Sequence, residues 1–494
     1  MKLKPRSLLV LSAQGLLLAF VSLALTSCRN LYPHPENQFA GRPIPPSQLL
    51  ERVLVAVTSD GSSTGSLLML DGKLDLRNNI QNTISSFPIS GFSGGYPSLI
   101  INYPEQQRGY VYSQNNGSVA TINYSTEASL GAFGPTLPGL SSSLAIPPLA
   151  AHEYSAEESV GLLTVVDLTT GKGYPLNLPN VYRVFSNTGD TVALAMVRNS
   201  DTLYRVIKLT PNTIYNAGGT NPLFPPGAID CQPYQLPVYC VVPVNGSFDR
   251  PTYAYYSIDG NSVYVVNAGQ ELGGGSNGGS SVSIIPIGGL TNNVIPTSTT
   301  YPVQTTSTIP VPGGATDVIS DGTNLYVAGQ ALQPDGLFAG NLTTINLTTL
   351  AVSAPIAISD GTHTKMLFAD DNTLWVGSQL CATGERAAKG LNYNCLTRYD
   401  LGAHTASIVP AITPATATTP ATVPYPNGDN NLLYYGSLTG ICWVQDFHKV
   451  YTAYGGQVHA FNTADGSEIN NFFITVQGTA LDVAYMDALT NAAN

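Results

Sequence analysis

From about residue 50 to its C-terminus the chain is built of short runs that alternate β-branched or aromatic residues with polar ones. The runs are separated by Asp-Gly, Asn-Gly or Gly-Asp pairs. In one of them, Tyr253-Ala254-Tyr255-Tyr256-Ser257-Ile258 leads through Asp259-Gly260-Asn261 into Ser262-Val263-Tyr264-Val265-Val266-Asn267. A period of two sends successive side chains to opposite faces of a strand, and a Gly-containing turn between two such runs makes a hairpin. After a Gly-rich loop, Ser281-Val282-Ser283-Ile284-Ile285 adds a third strand. The unit recurs over Ala315–Leu347, Met366–Leu401 and Lys449–Gly466. No stretch after the N-terminal segment sustains the 3.6-residue period of an amphipathic helix.

Units of this length, each with four short antiparallel strands, predict the blades of an all-β propeller. Seven candidate innermost strands lie at Tyr96–Tyr103, Ser142–Ala150, Tyr182–Thr188, Tyr253–Asp259, Ala315–Ser320, Lys365–Ala369 and Ile441–Asp446. An eighth, Leu481–Asp487, has no strands after it, whereas Val53–Thr58 and Leu67–Leu70 at the start lack an inner strand. The economical arrangement is a ring in which the C-terminal strand completes the first blade, removing exposed sheet edges. That gives eight blades over residues 51–494; seven is the alternative, because residues 140–210 are irregular.

These units resemble the YVTN-type and quinoprotein-like β-propellers, whose blades read as a strand ending in Asp-Gly, then Leu-Tyr-Val-Ala-Asn, then Val-x-Val-Ile-Asp. The match is good at Tyr253–Ile285 and Ala315–Leu347, fair at Met366–Leu401, Lys449–Asp465 and Gly161–Lys172, and weak before residue 160. The resemblance implies the fold far more than a function. Quinone-binding members dock their blades with a Trp after a Thr-Gly or Asp-Gly turn. Here Thr170-Gly171-Lys172 and Asp465-Gly466-Ser467 carry the turn without that Trp, which argues against quinone chemistry.

The first thirty residues are of another kind. Lys2, Lys4 and Arg6 precede an apolar run from Leu8 to Leu25, the design of an export signal. Leu25-Thr26-Ser27-Cys28 resembles the lipobox of bacterial lipoproteins, so residues 1–27 are expected to be removed and Cys28 to carry the lipid. Each buried methylene contributes about 0.8 kcal/mol, and stable anchoring takes two acyl chains or more. Arg29 stands where an Asp would signal inner-membrane retention, which favours the outer membrane. Residues 28–50, with Pro33, Pro35, Pro43, Pro45 and Pro46, read as an extended tether.

Composition agrees with export. Charged residues make up 10% of the chain, and 27 Tyr with abundant Ser, Thr, Asn and Gly supply the polar surface. A net charge of −11 argues against a nucleic-acid partner, whose affinity comes from Lys and Arg at phosphates. Outside the cytoplasm disulfides are allowed, and the sequence-near pairs Cys231–Cys240 and Cys381–Cys395 are expected, each contributing roughly 3 kcal/mol on loop entropy. Cys442, in the apolar run Ile441–Val444, is expected to be a buried free thiol.

Loop lengths are uneven. Turns between first and second strands are tight, whereas those between second and third are long, at Ala268–Ser280, Gln330–Gly340 and Gln379–Asn394. The blade crossings Asn212–Arg250 and Ala411–Asn430 are long too, and chain direction places them on the same face of the disc. Both disulfides are expected to clamp loops on that side, presenting Tyr234, Tyr239, Arg386 and Tyr393 to a ligand.

No nucleophile elbow, phosphate loop, haem signature or metal-ligand spacing occurs, and the six histidines are scattered. Asp370-Asp371-Asn372 reads as a turn, and Glu157-Glu158 as solvated carboxylates on opposite faces of a strand. No catalytic residue, metal or cofactor is assigned. The function expected is a lipid-anchored envelope binding or scaffold module whose partner is a protein or polymer. An extracytoplasmic enzyme of lactonase or lyase type working in the central channel, and an outer-membrane assembly factor, are the alternatives.

Overall fold

Eight antiparallel sheets follow one another along the chain in the computed structural model, and the strand that ends the chain belongs to the first of them. The structure describes residues 42–49, 51–59, 64–73, 87–92, 95–149, 151–211, 224–233, 236–269, 279–300, 307–332, 338–381, 395–410, 436–445, 447–469, 476 and 478–491. The sequence-derived count of eight blades holds, and the irregular region supplies two of them, blades 3 and 4.

All eight candidate inner strands are present, shifted by a few residues. From blade 2 to blade 8 they are Pro97–Tyr103, Ser143–Ala145, Val181–Ser186, Pro251–Tyr256, Gly314–Ser320, Thr362–Ala369 and Leu438–Val444. Blade 1 is closed by Thr479–Tyr485, which pairs with Arg52–Thr58 in the register Val53↔Tyr485, Leu54↔Ala484 and Val55↔Val483.

The alternation explains why the blades stack. In Arg52–Thr58, Leu54 and Ala56 pack with Ile100, Val111 and Ile122 of blade 2, while Val53, Val55 and Val57 pack with Val444, Tyr451 and Val458 of blade 8. Each middle strand is therefore buried on both faces, and a separate apolar cluster fills each of the eight blade-to-blade interfaces around the ring. A buried Leu or Val contributes about 1.5–3 kcal/mol, so the interfaces carry the stability of the ring.

Two loop readings are corrected. Residues 212–250 are not simply a crossing: Asp230–Gln232 and Val238–Pro243 join blade 4 and make it five-stranded. The run Val238-Tyr239-Cys240-Val241-Val242 has strand character that the flanking prolines concealed. The expected loop Gln330–Gly340 is largely an extended hairpin, with Asn324–Leu332 pairing as far as Leu332↔Phe338. Of the other long loops, residues 270–278, 382–394 and 411–435 lie outside the described residues.

Candidate functional site

Seven innermost strands carry a bulge near their first residue, leaving Ser98, Tyr182, Thr252, Thr316, Thr364, Thr439 and Leu481 out of the pairing register. Bulges occur at barrel rims and beside sites, where they re-aim the next side chain. These seven ring the mouth of the channel on the face of the blade crossings. Blade 3 alone has no bulge in its inner pair.

The residues just past the bulges include Arg183, Asp317, Lys365 and Asp482, two cations and two acids on four different blades. Lys365 Nζ lies 3.7 Å from Asp482 Oδ1, although blade 8 stands between their strands. Gly440 makes room: a Cβ there would lie 2.5 Å from the same Asp482 oxygen. Asp482 also accepts hydrogen bonds from the amides of Ile100, at 2.8 Å, and Val483, at 3.0 Å. Burial raises the Asp482 carboxyl above the usual range against the pull of Lys365. Burial also raises Asp317 to about 7, opposed by the Val318 amide and by the charges of Arg183 and Lys365.

Above this ring lies a cavity of about 340 Å³, lined by Tyr182, Arg183, Arg198 and Asn199 of blade 4 and by Arg250, Thr252 and Ala268 of blade 5, with Thr316 and Thr362 opposite. Arg198 sits 4.6 Å and Arg183 5.8 Å from the centroid of the Tyr182 ring. The Tyr182 hydroxyl donates to the Pro251 carbonyl (2.9 Å), and Arg183 Nη1 donates to that of Thr252 (2.6 Å). Arg198 grips Glu158 with two hydrogen bonds, through Nε and, at 2.8 Å, through Nη2. That pairing holds the Glu158 carboxyl below its ordinary range. Arg250 enters the cavity from a left-handed backbone conformation, φ 53°.

The disulfides Cys231–Cys240 and Cys381–Cys395 form, and Cys442 is a buried free thiol. Cys381–Cys395 closes a loop between second and third strands, as expected. Cys231–Cys240 instead joins the outer two strands of blade 4, whose connected ends, Gln232 and Val238, lie on the opposite face. This is so because Val238 pairs with Leu209 at the far end of the sheet. Tyr239 is accordingly not a surface residue; it is 1% exposed. Its hydroxyl donates to Asp167 (2.9 Å) and lies 3.0 Å from His152 Nε2, while His152 Nδ1 lies 2.7 Å from Asp190. The group ties blade 3 to blade 4. Tyr234, Arg386, Tyr393 and Cys28 lie outside the described residues.

Asp370-Asp371-Asn372 is a turn, with Asp371 and Asn372 left-handed and Asp371 paired to His448 at 2.8 Å. The reading of Glu157 as solvated is overturned: it is fully buried against blade 2, where Oε2 accepts the Gly139 amide at 2.7 Å. Its neighbour Glu158 faces the rim. Among the described residues no group of three or more His, Cys, Asp or Glu could hold a metal ion, and no helix is long and apolar enough to cross a membrane. The mouth arginines had escaped the sequence reading, because no motif or fixed spacing links them and only the fold shows that they line one cavity. The recurring Ser or Thr at the bulges, in Pro-Ser-Leu, Pro-Thr-Tyr, Ala-Thr-Asp, His-Thr-Lys and Leu-Thr-Gly, marks the rim.

Comparison with known proteins supports the architecture alone. No known family profile and no curated protein matches the chain. Among solved structures, the dihydro-heme d1 dehydrogenase NirN is similar over 92% of this chain and 80% of its own, at 14% identity and TM-score 0.50. AztD from Citrobacter koseri matches over 88% and 97%, at 10% identity and TM-score 0.45. A putative 6-phosphogluconolactonase from Bacteroides fragilis matches over 88% and 97%, at 12% identity and TM-score 0.40. The chain is an eight-bladed β-propeller. At such identities the likeness extends to the fold and not to an activity.

Proposed function

We propose that this propeller is a lipid-anchored envelope protein that binds its partner, a protein or polymer, on the face of the blade crossings. The observation that carries the reading is the cavity at the channel mouth, cut by four successive blades and open on that face. Rigid strands hold its walls, and the loop closed by Cys381–Cys395 leaves from the same side, an arrangement suited to recognition. Just past the same bulges stand Arg183, Asp317, Lys365 and Asp482, of opposite charges, with Lys365 paired to Asp482. Residue-specific photo-crosslinking in envelopes tests the face. A photoreactive residue at Asp201, exposed in the blade 4 turn beside the cavity, is expected to capture a partner. The same residue at Ile258, 68% exposed on the opposite face, is not. Capture from Ile258 alone would reverse the assignment.

The anchor is part of the proposal and rests on the Leu25–Cys28 motif. Cys28→Ser removes the only thiol the lipid can use, so the protein is expected to move from the membrane fraction to the soluble one. Retention of the variant in the membrane fraction would count against lipidation. Cofractionation of the wild-type protein with outer-membrane markers is expected from Arg29.

A further inference from the structure

We infer that the cavity at the channel mouth is a site for an oxyanion, the carboxylate or phosphate group of a ligand, with Arg183 and Arg250 as its direct contacts. The inference rests on the crossing-face reading above and gives it a ligand chemistry. The chain is acidic, with 31 Asp and Glu against 20 Lys and Arg, yet three of those cations line one cavity and no carboxylate does. Low-dielectric walls lined by one sign of charge focus the field and concentrate counter-ions.

The three guanidinium groups are not equivalent. Arg198 is neutralised in part by Glu158, which it holds from outside the cavity. Arg183 spends one nitrogen on the Thr252 carbonyl, leaving further N–H donors. Arg250 is half-buried, and its guanidinium has neither a hydrogen bond nor an ion pair among the described residues. A cation partly withdrawn from water without a counter-charge is costly, and a bound anion removes that cost. The planar guanidinium also fits carboxylate and phosphate oxygens in pairs. Two guanidinium groups over the Tyr182 ring are ordered before a ligand arrives, which lowers the entropy lost on binding. At about 340 Å³ the cavity admits a single sugar-sized residue.

Titration calorimetry on the full chain at low salt, with glucuronate, glucose 1-phosphate and neutral glucose as probes, tests this. At least one anion is expected to bind while glucose does not, and the preferred anion separates carboxylate from phosphate chemistry. Affinity is expected to fall about tenfold or more in Arg250→Gln and in Arg183→Gln, and to be partly kept in Arg250→Lys. Lys172→Gln, on an outer strand, is expected to bind as wild type. Because the Arg250 side chain has no partner to lose among the described residues, its Gln variant is expected to melt as wild type does, so lost binding would not reflect unfolding. Equal affinity for glucose and the anions, or unaltered anion binding by both Gln variants, would overturn the inference. If the anions fail to bind while the Asp201 probe still captures a partner, the ligand chemistry is wrong and the face assignment survives.

Discussion

Arg52→Ala is expected to lower the stability of the propeller by about 3–5 kcal/mol, the usual cost of breaking a buried ion pair from one side. Arg52 is 1% exposed on the first strand. Its Nη2 lies 2.5 Å and its Nε 3.0 Å from the Asp487 carboxylate, just past the closing strand. Nη1 reaches into blade 2, at 3.1 Å from Glu127 and 2.5 Å from the Tyr124 carbonyl. One guanidinium thus joins the first strand, the last strand and the next blade. Its removal takes the shared cation from two buried carboxylates at the seam of the ring. Urea denaturation of wild type and variant measures the loss; a change below about 1 kcal/mol would show that the seam does not depend on this network.

The second large effect is one of pH. Glu153 is fully buried, neither of its carboxyl oxygens has a hydrogen-bond partner among the described residues, and burial followed by the charge of Glu157 raises it to about 8. Its folded-state value therefore lies above the unfolded one. The protonated form is the one the fold accepts, so its contribution is complete below about pH 4.5 and is lost as pH rises through 8. Each unit of difference is about 1.4 kcal/mol. Glu153→Gln is expected to match wild type near pH 4 and to be more stable at pH 8 by about 4 kcal/mol, read from denaturation midpoints across that range. Glu51, raised to about 8 by burial, adds a slope of the same sign in both proteins. A variant no more stable than wild type at pH 8 would contradict the assignment.

The fold was legible because a period of two leaves its trace in every blade. Val53, Val55 and Val57 on one face, with Leu54 and Ala56 on the other, could be read as a strand buried on both sides, and Val483 as its missing neighbour. The same rule misled at Glu157. Alternation says that Glu157 and Glu158 face opposite ways, but in a stacked blade both faces are covered, so a carboxylate on either can be interior. Tyr239 failed for a related reason: Pro233 and Pro237 made a loop of what is a hairpin. The mouth arginines sit at the ends of neighbouring strands in blades 4 and 5, and only the pairing and stacking of those strands bring them to one cavity.

Ring closure is therefore the claim to test most directly. Leu54 and Ala484 face each other across the first and last strands. Peptide mapping of the oxidised Leu54→Cys, Ala484→Cys double variant is predicted to recover a disulfide-linked pair of peptides from the two ends of the domain. Recovery of both cysteines as free thiols, or linked to other sites, in a folded protein would contradict the account.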